Sequence, residues 1–176
     1  MIKKKPIKSA PEVIVNAVLT LFNQGKFEEI LSRSSYLIEK YHNNFIIHNI
    51  LGAIYYKIGD KEKAVQHFIK VIEINPNHPY SHNDLGIIFI ESKNYEEAEI
   101  FLKRAVNLKH DYAEAYNNLG NLYNKLEKYN KAIINYKNAI KINPDYYEAN
   151  NNLGIVLIKL EKNSEAEIIL KKTIIL

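Results

Sequence analysis

Asn49, Asn83, Asn117 and Asn151 stand at intervals of 34 residues. A carboxamide carries two N–H donors and an acceptor oxygen. A column of them can therefore pair with the N–H and C=O groups of an extended peptide without reading its side chains. Further asparagines flank the column: Asn16, Asn118 and Asn152 one position later in their units, then Asn121 and Asn124. This is binding chemistry, not bond-making chemistry. A second origin stays open beside it. Asn, Ile, Lys and Tyr are all heavily used and all have A/T-rich codons, and Asn75, Asn94, Asn107, Asn135 and Asn138 lie off these columns. Duplication of one unit would also leave the 34-residue spacing behind.

The groups that could do bond-making chemistry do not converge. His78 and His82 are four apart, but Pro79 between them marks a unit junction and separates their helical faces. His48 and His82 fall in the column that holds Tyr116, which predicts packing with a polar tip rather than metal ligation. There is no Cys, so no thiolate metal site and no disulfide. Carboxylates such as Glu96, Glu97, Glu165 and Glu167 follow helix-surface pairing. Neither a phosphate-binding loop, a dinucleotide fingerprint nor a nucleophile elbow occurs. No enzyme activity, no cofactor and no metal are expected of these residues.

What positions the asparagines is a chain of 176 residues, 47% hydrophobic, with six Gly, five Pro and 13 Tyr but no Trp. So few Gly and Pro predict helices rather than a turn-rich β fold. The formal charge of +4 sits in residues 1–10, where Lys3, Lys4, Lys5 and Lys8 have no acidic neighbour; the rest balances 20 basic against 20 acidic residues. A neutral body argues against nucleic acid, which needs a clustered basic face. No apolar run approaches the roughly 18 residues of a membrane helix, so no membrane partner is expected. The opening "MIKKKPIK" and "VIVNAVLTLF" resemble a signal peptide, but Glu12 and Asn16 interrupt the apolar run. With no cysteine, a reducing, cytoplasmic location is expected.

One unit is copied along the chain. Leu51-Gly52, Leu85-Gly86, Leu119-Gly120 and Leu153-Gly154 share the 34-residue interval, as do Ala64, Ala98, Ala132 and Ala166, and Ile38, Ile72, Val106, Ile140 and Ile174. Each unit reads as two amphipathic helices. In residues 113–146 they run from about Ala113 to Leu126 and from Tyr129 to Ile142, joined by "EKYN", and Pro144 stops the second. Gly120 and Ala132 are small, so backbones can approach. One hairpin cannot bury its apolar faces, but stacked hairpins can.

The period and pattern resemble the tetratricopeptide repeat. Residues 113–146 carry its signature in Tyr116, Leu119, Gly120, Tyr123, Ala132, Tyr136, Ala139 and Pro144. Residues 45–78 match at Leu51, Gly52, Tyr55, Ala64, Phe68 and Pro76, with His48 and Val71 as departures. A divergent copy at 11–44 has Ala17 and Val18 for Leu-Gly and Ile30 for Ala. The resemblance implies an all-α fold, a right-handed α-solenoid of stacked antiparallel helix pairs. A basic tail of residues 1–10 would precede repeats at 11–44, 45–78, 79–112, 113–146 and 147–176.

In this family the side of the first helix opposite the core stripe lines the concave surface, where partner segments bind. Carried onto this chain, that surface holds Asn16, Asn49, Asn83, Asn117, Asn118, Asn121, Asn124, Asn151 and Asn152, with Tyr56, Lys57 and Lys125. The resemblance thus implies a scaffold binding an extended peptide segment of a protein partner. The lysines are spread and accompanied by Glu12, Glu114 and Glu148, unlike the converging bases of a carboxylate clamp. A similar asparagine ladder lines the repeats of O-GlcNAc transferase. The alternative is the substrate-recruiting part of a larger glycosyltransferase or sulfotransferase, whose catalytic domain would follow. The last helix, ending "KKTIIL", lacks the polar outer face of a terminal unit. It predicts continuation of the chain, a partner, or self-association through that helix. Finally, Asn150 takes the place of an aromatic and needs a hydrogen-bond partner.

Overall fold

Apolar residues recurring every three or four positions, cut by Gly, Pro and Asn, produce helices and no strand among the described residues. The structure, a computed structural model, describes residues 11–174 and side chains through Lys171; the basic tail of residues 1–10 lies outside the described residues. The helices are α1 Glu12–Asn23, α2 Phe27–Ser32, α3 Ser34–Tyr41, α4 Phe45–Lys57, α5 Lys61–Ile74 and α6 Pro79–Glu91. They continue with α7 Tyr95–Leu108, α8 Ala113–Lys125, α9 Tyr129–Ile142, α10 Tyr147–Lys159 and α11 Asn163–Ile174. First helices thus begin at 45, 79, 113 and 147, and second helices at 61, 95, 129 and 163.

The first copy departs from this pattern: its second helix is split at Arg33, which takes φ −103° and ψ 0°. Ser32 Oγ donates to the Glu29 carbonyl and Ser34 Oγ to the Leu31 carbonyl, at 2.8 and 2.7 Å. Serines that bond back to their own helix compete with the backbone ladder and bend it. Ile30, in the column that elsewhere holds alanine, is buried all the same.

The repeated glycine has a different neighbour from the one its small size suggests. A Cβ on Gly120 would fall 2.5 Å from Tyr136 Cε1, so the ring of α9 lies directly on α8. Gly86 and Gly154 meet Leu102 and Leu170 in the same way, and Gly52 meets Phe68 with slightly more room, at 2.9 Å. The small residue therefore seats a large side chain 16 positions later, and Ala132 is a separate buried contact.

Each turn inside a pair also has one residue in the left-handed region, always at the same place in the repeat. It is glycine in the first two turns, Gly25 and Gly59, and then Lys93, Glu127 and Glu161, with φ of 61°, 57° and 59°. The last three carry the Cβ penalty of that conformation, of order 1 kcal/mol each.

The described residues divide into two compact units, up to Ser81 and from His82 onward. In the first, Val15, Val18, Ile30, Leu37, Ile47, Leu51 and Ile54 form a buried cluster. In the second, α7 packs on α8, α8 on α9, and α10 on both α9 and α11. Its core includes Leu102, Leu119, Leu122, Tyr136, Leu153 and Leu157. On α11, Ile168 is 61% exposed. Of the apolar C-terminal residues, the side chains of Ile174, Ile175 and Leu176 lie outside the described residues.

Candidate functional site

In the second unit the first helices α6, α8 and α10 present one face in register. Because equivalent positions on successive first helices align, the face reads as rows. One is Asn83, Asn117 and Asn151; the next is Asp84, Asn118 and Asn152. Then come Ile87, Asn121 and Ile155, and Ile90, Asn124 and Ile158. Helix α8 thus offers carboxamides where its neighbours offer isoleucines.

The asparagines are bonded to one another across helices. Asn118 Nδ2 donates to Asn83 Oδ1 at 2.9 Å. Asn152 Nδ2 donates to Asn117 Oδ1 at 3.2 Å and to Asn121 Oδ1 at 3.0 Å. Asn117 Nδ2 donates to Glu148 Oε1 at 2.9 Å. From below, the buried Tyr136 hydroxyl donates to Asn121 Oδ1 at 2.9 Å, and Lys159 Nζ donates to Asn124 Oδ1 at 3.2 Å. These bonds tie α6 to α8, α8 to α9 and α8 to α10.

Burial sorts the candidates. Asn117 is fully buried and Asn83 is 4% exposed. They lie beneath the face as cross-helix pins rather than on it. Asn118, Asn121, Asn124, Asn151 and Asn152 are half-buried, and Lys125 is exposed. Asn118, Asn121, Asn124 and Lys125 line a shallow hollow of about 270 Å³ together with Ile87, Ile90 and Glu91. Lys125 has no acidic partner among the described residues. Ile155 and Ile158 beyond it are 40% and 50% exposed.

Burial also sets the electrostatics. It pushes the Asp84 carboxyl up to about 6, against a smaller opposing hydrogen bond from Asn83. Tyr146 is pushed up to about 12 by burial and the neighbouring Glu148 and Glu114 carboxylates. Tyr136 is raised further still, by burial first, so its hydroxyl stays a donor at any physiological pH.

The first unit places its candidates differently. Asn16 is exposed; Asn49 is half-buried and its Oδ1 accepts from Ser81 Oγ at 3.1 Å. Tyr56 is half-buried, and the Lys57 ammonium lies 4.7 Å from the Phe27 ring centroid. Its polar cluster is built of imidazoles instead: His48 and His67 face each other, Nδ1 to Nδ1, at 2.9 Å, and His48 Nε2 lies 3.1 Å from the His42 carbonyl. His67 stacks flat on Tyr55. Desolvation, with a smaller push from His48, holds His67 down at about 4, and desolvation also lowers His48. His48 is buried, as is His82, which packs against Phe101, and His78 Nδ1 accepts from the Ser81 amide at the start of α6.

Asn150, in the aromatic column, is buried and donates to the carbonyls of Pro144 and Tyr146, at 3.0 and 3.1 Å. It ties the turn before α10 to that helix. Missing from the sequence reading were Tyr136 and Lys159 as orienting groups. The signal was present: Tyr136 lies 16 residues after Gly120, the same offset as Phe68 from Gly52. Among the described residues, no three His, Cys, Asp or Glu side chains gather as metal ligands, and no helix is long and apolar enough to cross a membrane.

Comparison with known proteins places this geometry in context. Family models described as "Tetratricopeptide repeat" match residues 45–78 and 113–146, and 67–100 and 135–168; one described as "TPR repeat" matches 86–127. Together they span residues 45–168 without a gap. No curated protein matches the sequence. Among solved structures, MamA from Desulfovibrio magneticus RS-1 superposes with a TM-score of 0.81 at 24% identity, covering 90% of each chain. PilF of Pseudomonas aeruginosa superposes at 0.82 with 17% identity, covering 92% of this chain and 74% of its own. YrrB, described as a TPR protein with an unusual peptide-binding site, superposes at 0.75 with 19% identity, covering 91% of this chain and 82% of its own. At these identities the likeness concerns the fold, which is that of these helical-repeat solenoids.

Proposed function

We propose, for a chain that belongs to the tetratricopeptide-repeat family, that it is an interaction scaffold whose first-helix face binds an extended peptide segment of a partner protein. The observation that carries this reading is the hollow between α6 and α8. Two isoleucines wall it, three half-buried carboxamides line it, and Glu91 and Lys125 edge it. Those are the groups an extended peptide needs: apolar area for a side chain and amides for backbone N–H and C=O. Asn118, Asn121, Asn124, Asn151, Asn152 and Lys125 make the contacts, while Asn83 and Asn117 hold them from beneath. The first unit, taken by itself, offers groups of the same kind in Asn16, Asn49, Tyr56 and Lys57. That YrrB, of like fold, is described by its peptide-binding site supports the assignment.

The test is capture from a random dodecamer peptide library by the full chain. Capture that the Asn118→Ala, Asn121→Ala, Asn124→Ala triple variant loses while keeping its helical circular dichroism is the expected result. Capture that survives the triple variant removes this face as the site. Failure of the unsubstituted chain to select any peptide removes the peptide-binding role itself.

A further inference from the structure

An asparagine is ambiguous as a recognition group, because either end of its carboxamide can face the ligand. In the second unit the surrounding groups remove that ambiguity. Glu148 is a carboxylate and can only accept, so Asn117 turns its Nδ2 toward it and its Oδ1 away. That oxygen takes Asn152 Nδ2, which also reaches Asn121 Oδ1. Asn121 Oδ1 is thus spent, twice over, because the Tyr136 hydroxyl donates to it as well. Lys159 is an ammonium and can only donate, so it fixes Asn124 by its Oδ1. At the other edge, Asn83 turns its Oδ1 to Asn118 Nδ2.

We infer that this network makes the face directional: Asn152, with both N–H groups spent, and Asn118, with its Oδ1 left over, turn acceptor oxygens outward, and Asn121, whose Oδ1 accepts twice, and Asn124, whose Oδ1 meets Lys159, turn donor N–H groups outward. The inference rests on the peptide-binding reading and deepens it. Asn124 sits against the Tyr136 hydroxyl, but an amide nitrogen has two protons, and one remains for a ligand. Asn118, Asn121 and Asn124 follow one another at intervals of three along α8, about 4.5 Å of rise each. A segment lying along the hollow meets an acceptor first, where a peptide N–H fits, and two donors after it, where C=O groups fit. The ligand is therefore an extended peptide held in one chain direction. An aliphatic side chain rests on Ile87 and Ile90. Glu148, Lys159 and Tyr136 are positioning residues, which need not touch the peptide.

Asparagine-to-aspartate exchange separates the two roles, because it removes the N–H donors and leaves every acceptor. Asn121→Asp with Asn124→Asp keeps the internal bonds from Tyr136, Asn152 and Lys159 and loses the outward donors, together with the Asn124 N–H that meets the Tyr136 hydroxyl. Asn118→Asp with Asn152→Asp keeps the outward acceptors and loses the internal donations to Asn83, Asn117 and Asn121. The probe is the peptide selected by the full chain from the dodecamer library, titrated by fluorescence anisotropy well below each variant's Tm. The first pair is expected to lose no more Tm than one hydrogen bond gives and to bind about tenfold more weakly or worse. The second pair is expected to lose several degrees of Tm, of the order three lost hydrogen bonds give, and to lose less binding than the first pair. Unweakened binding by the first pair, or lost binding with unchanged Tm in the second, overturns the inference and leaves peptide binding standing. A chain that selects no peptide overturns both.

Discussion

The two units run on the same repeat and answer its demands with different residues. Where the turn inside a helix pair needs a left-handed residue, the first unit has Gly25 and Gly59 and the second has Lys93, Glu127 and Glu161. Where a large side chain presses on the helix glycine, the first has the Phe68 ring and the second Leu102, Tyr136 and Leu170, each closer. Where polar groups are enclosed, the first pairs two imidazoles and the second links carboxamides. The comparison teaches that the backbone repeat tolerates several local chemistries, and that the face-forming carboxamides belong to the unit whose buried tyrosine carries a hydroxyl to orient them. Phe68 offers no such donor.

The strongest way to break the comparison is at the glycines. Gly120→Ala drives a methyl group into the Tyr136 ring and should cost about 1–3 kcal/mol despite alanine's better helix propensity. Gly52→Ala has a little more room against Phe68 and should cost less. Urea unfolding followed by circular dichroism ranks the two, and an equal cost would mean that the closer packing in the second unit has no energetic consequence.

Acid should act on the units with opposite sign. His48 and His67 are held below their ordinary value, so the first unit has their full contribution above about pH 6.5 and loses it as pH falls toward about 4. Lys70 and Glu73 act on His48 with opposite, smaller effects. Asp84 is raised from 3.8 to about 6, so its contribution to the second unit is full below about 3.8 and is lost as pH rises through 6. Hydrogen exchange at pH 7 and pH 4.5 should show amides of α4 and α5 losing protection relative to those of α7 to α9. Asp84→Asn should stabilise the second unit at pH 7 and abolish its share of the difference.

The turns give a smaller effect. Glu127→Gly should stabilise by about 0.5–1 kcal/mol, since glycine takes φ 57° without a Cβ clash, and Gly59→Ala should destabilise by about 1 kcal/mol. Thermal unfolding of the two single variants checks both signs. Smallest is Tyr136→Phe, which copies the first unit's solution and removes one buried donor, for about 0.5–1 kcal/mol. It sharpens the comparison if peptide capture weakens by more than stability does, because Asn121 then loses one of its two orienting bonds.

Much of the fold was legible because helix pairing is periodic. The spacing of Leu-Gly, alanine and proline predicted two helices per unit, and in residues 113–146 they run Ala113–Lys125 and Tyr129–Ile142. The break at Arg33 was not legible, since a serine's choice between solvent and its own helix depends on local geometry. Nor were the left-handed Lys93, Glu127 and Glu161, which stand where glycine would have announced the conformation. Of the site, the columns were readable and their depth was not. A helical wheel assigns Asn83 and Asn117 to the same side as Asn118, but a neighbouring helix at that position covers them.

By itself, then, the sequence determined the repeat, the helices and which residue types line each row, because those follow from the period of the backbone and the size of side chains. Only the tertiary structure decided which asparagines are covered, which end of each carboxamide faces out, and that Glu148, Lys159 and Tyr136 set those orientations. Such choices depend on partners some 15 to 35 positions distant along the chain, which meet only when the helices pack.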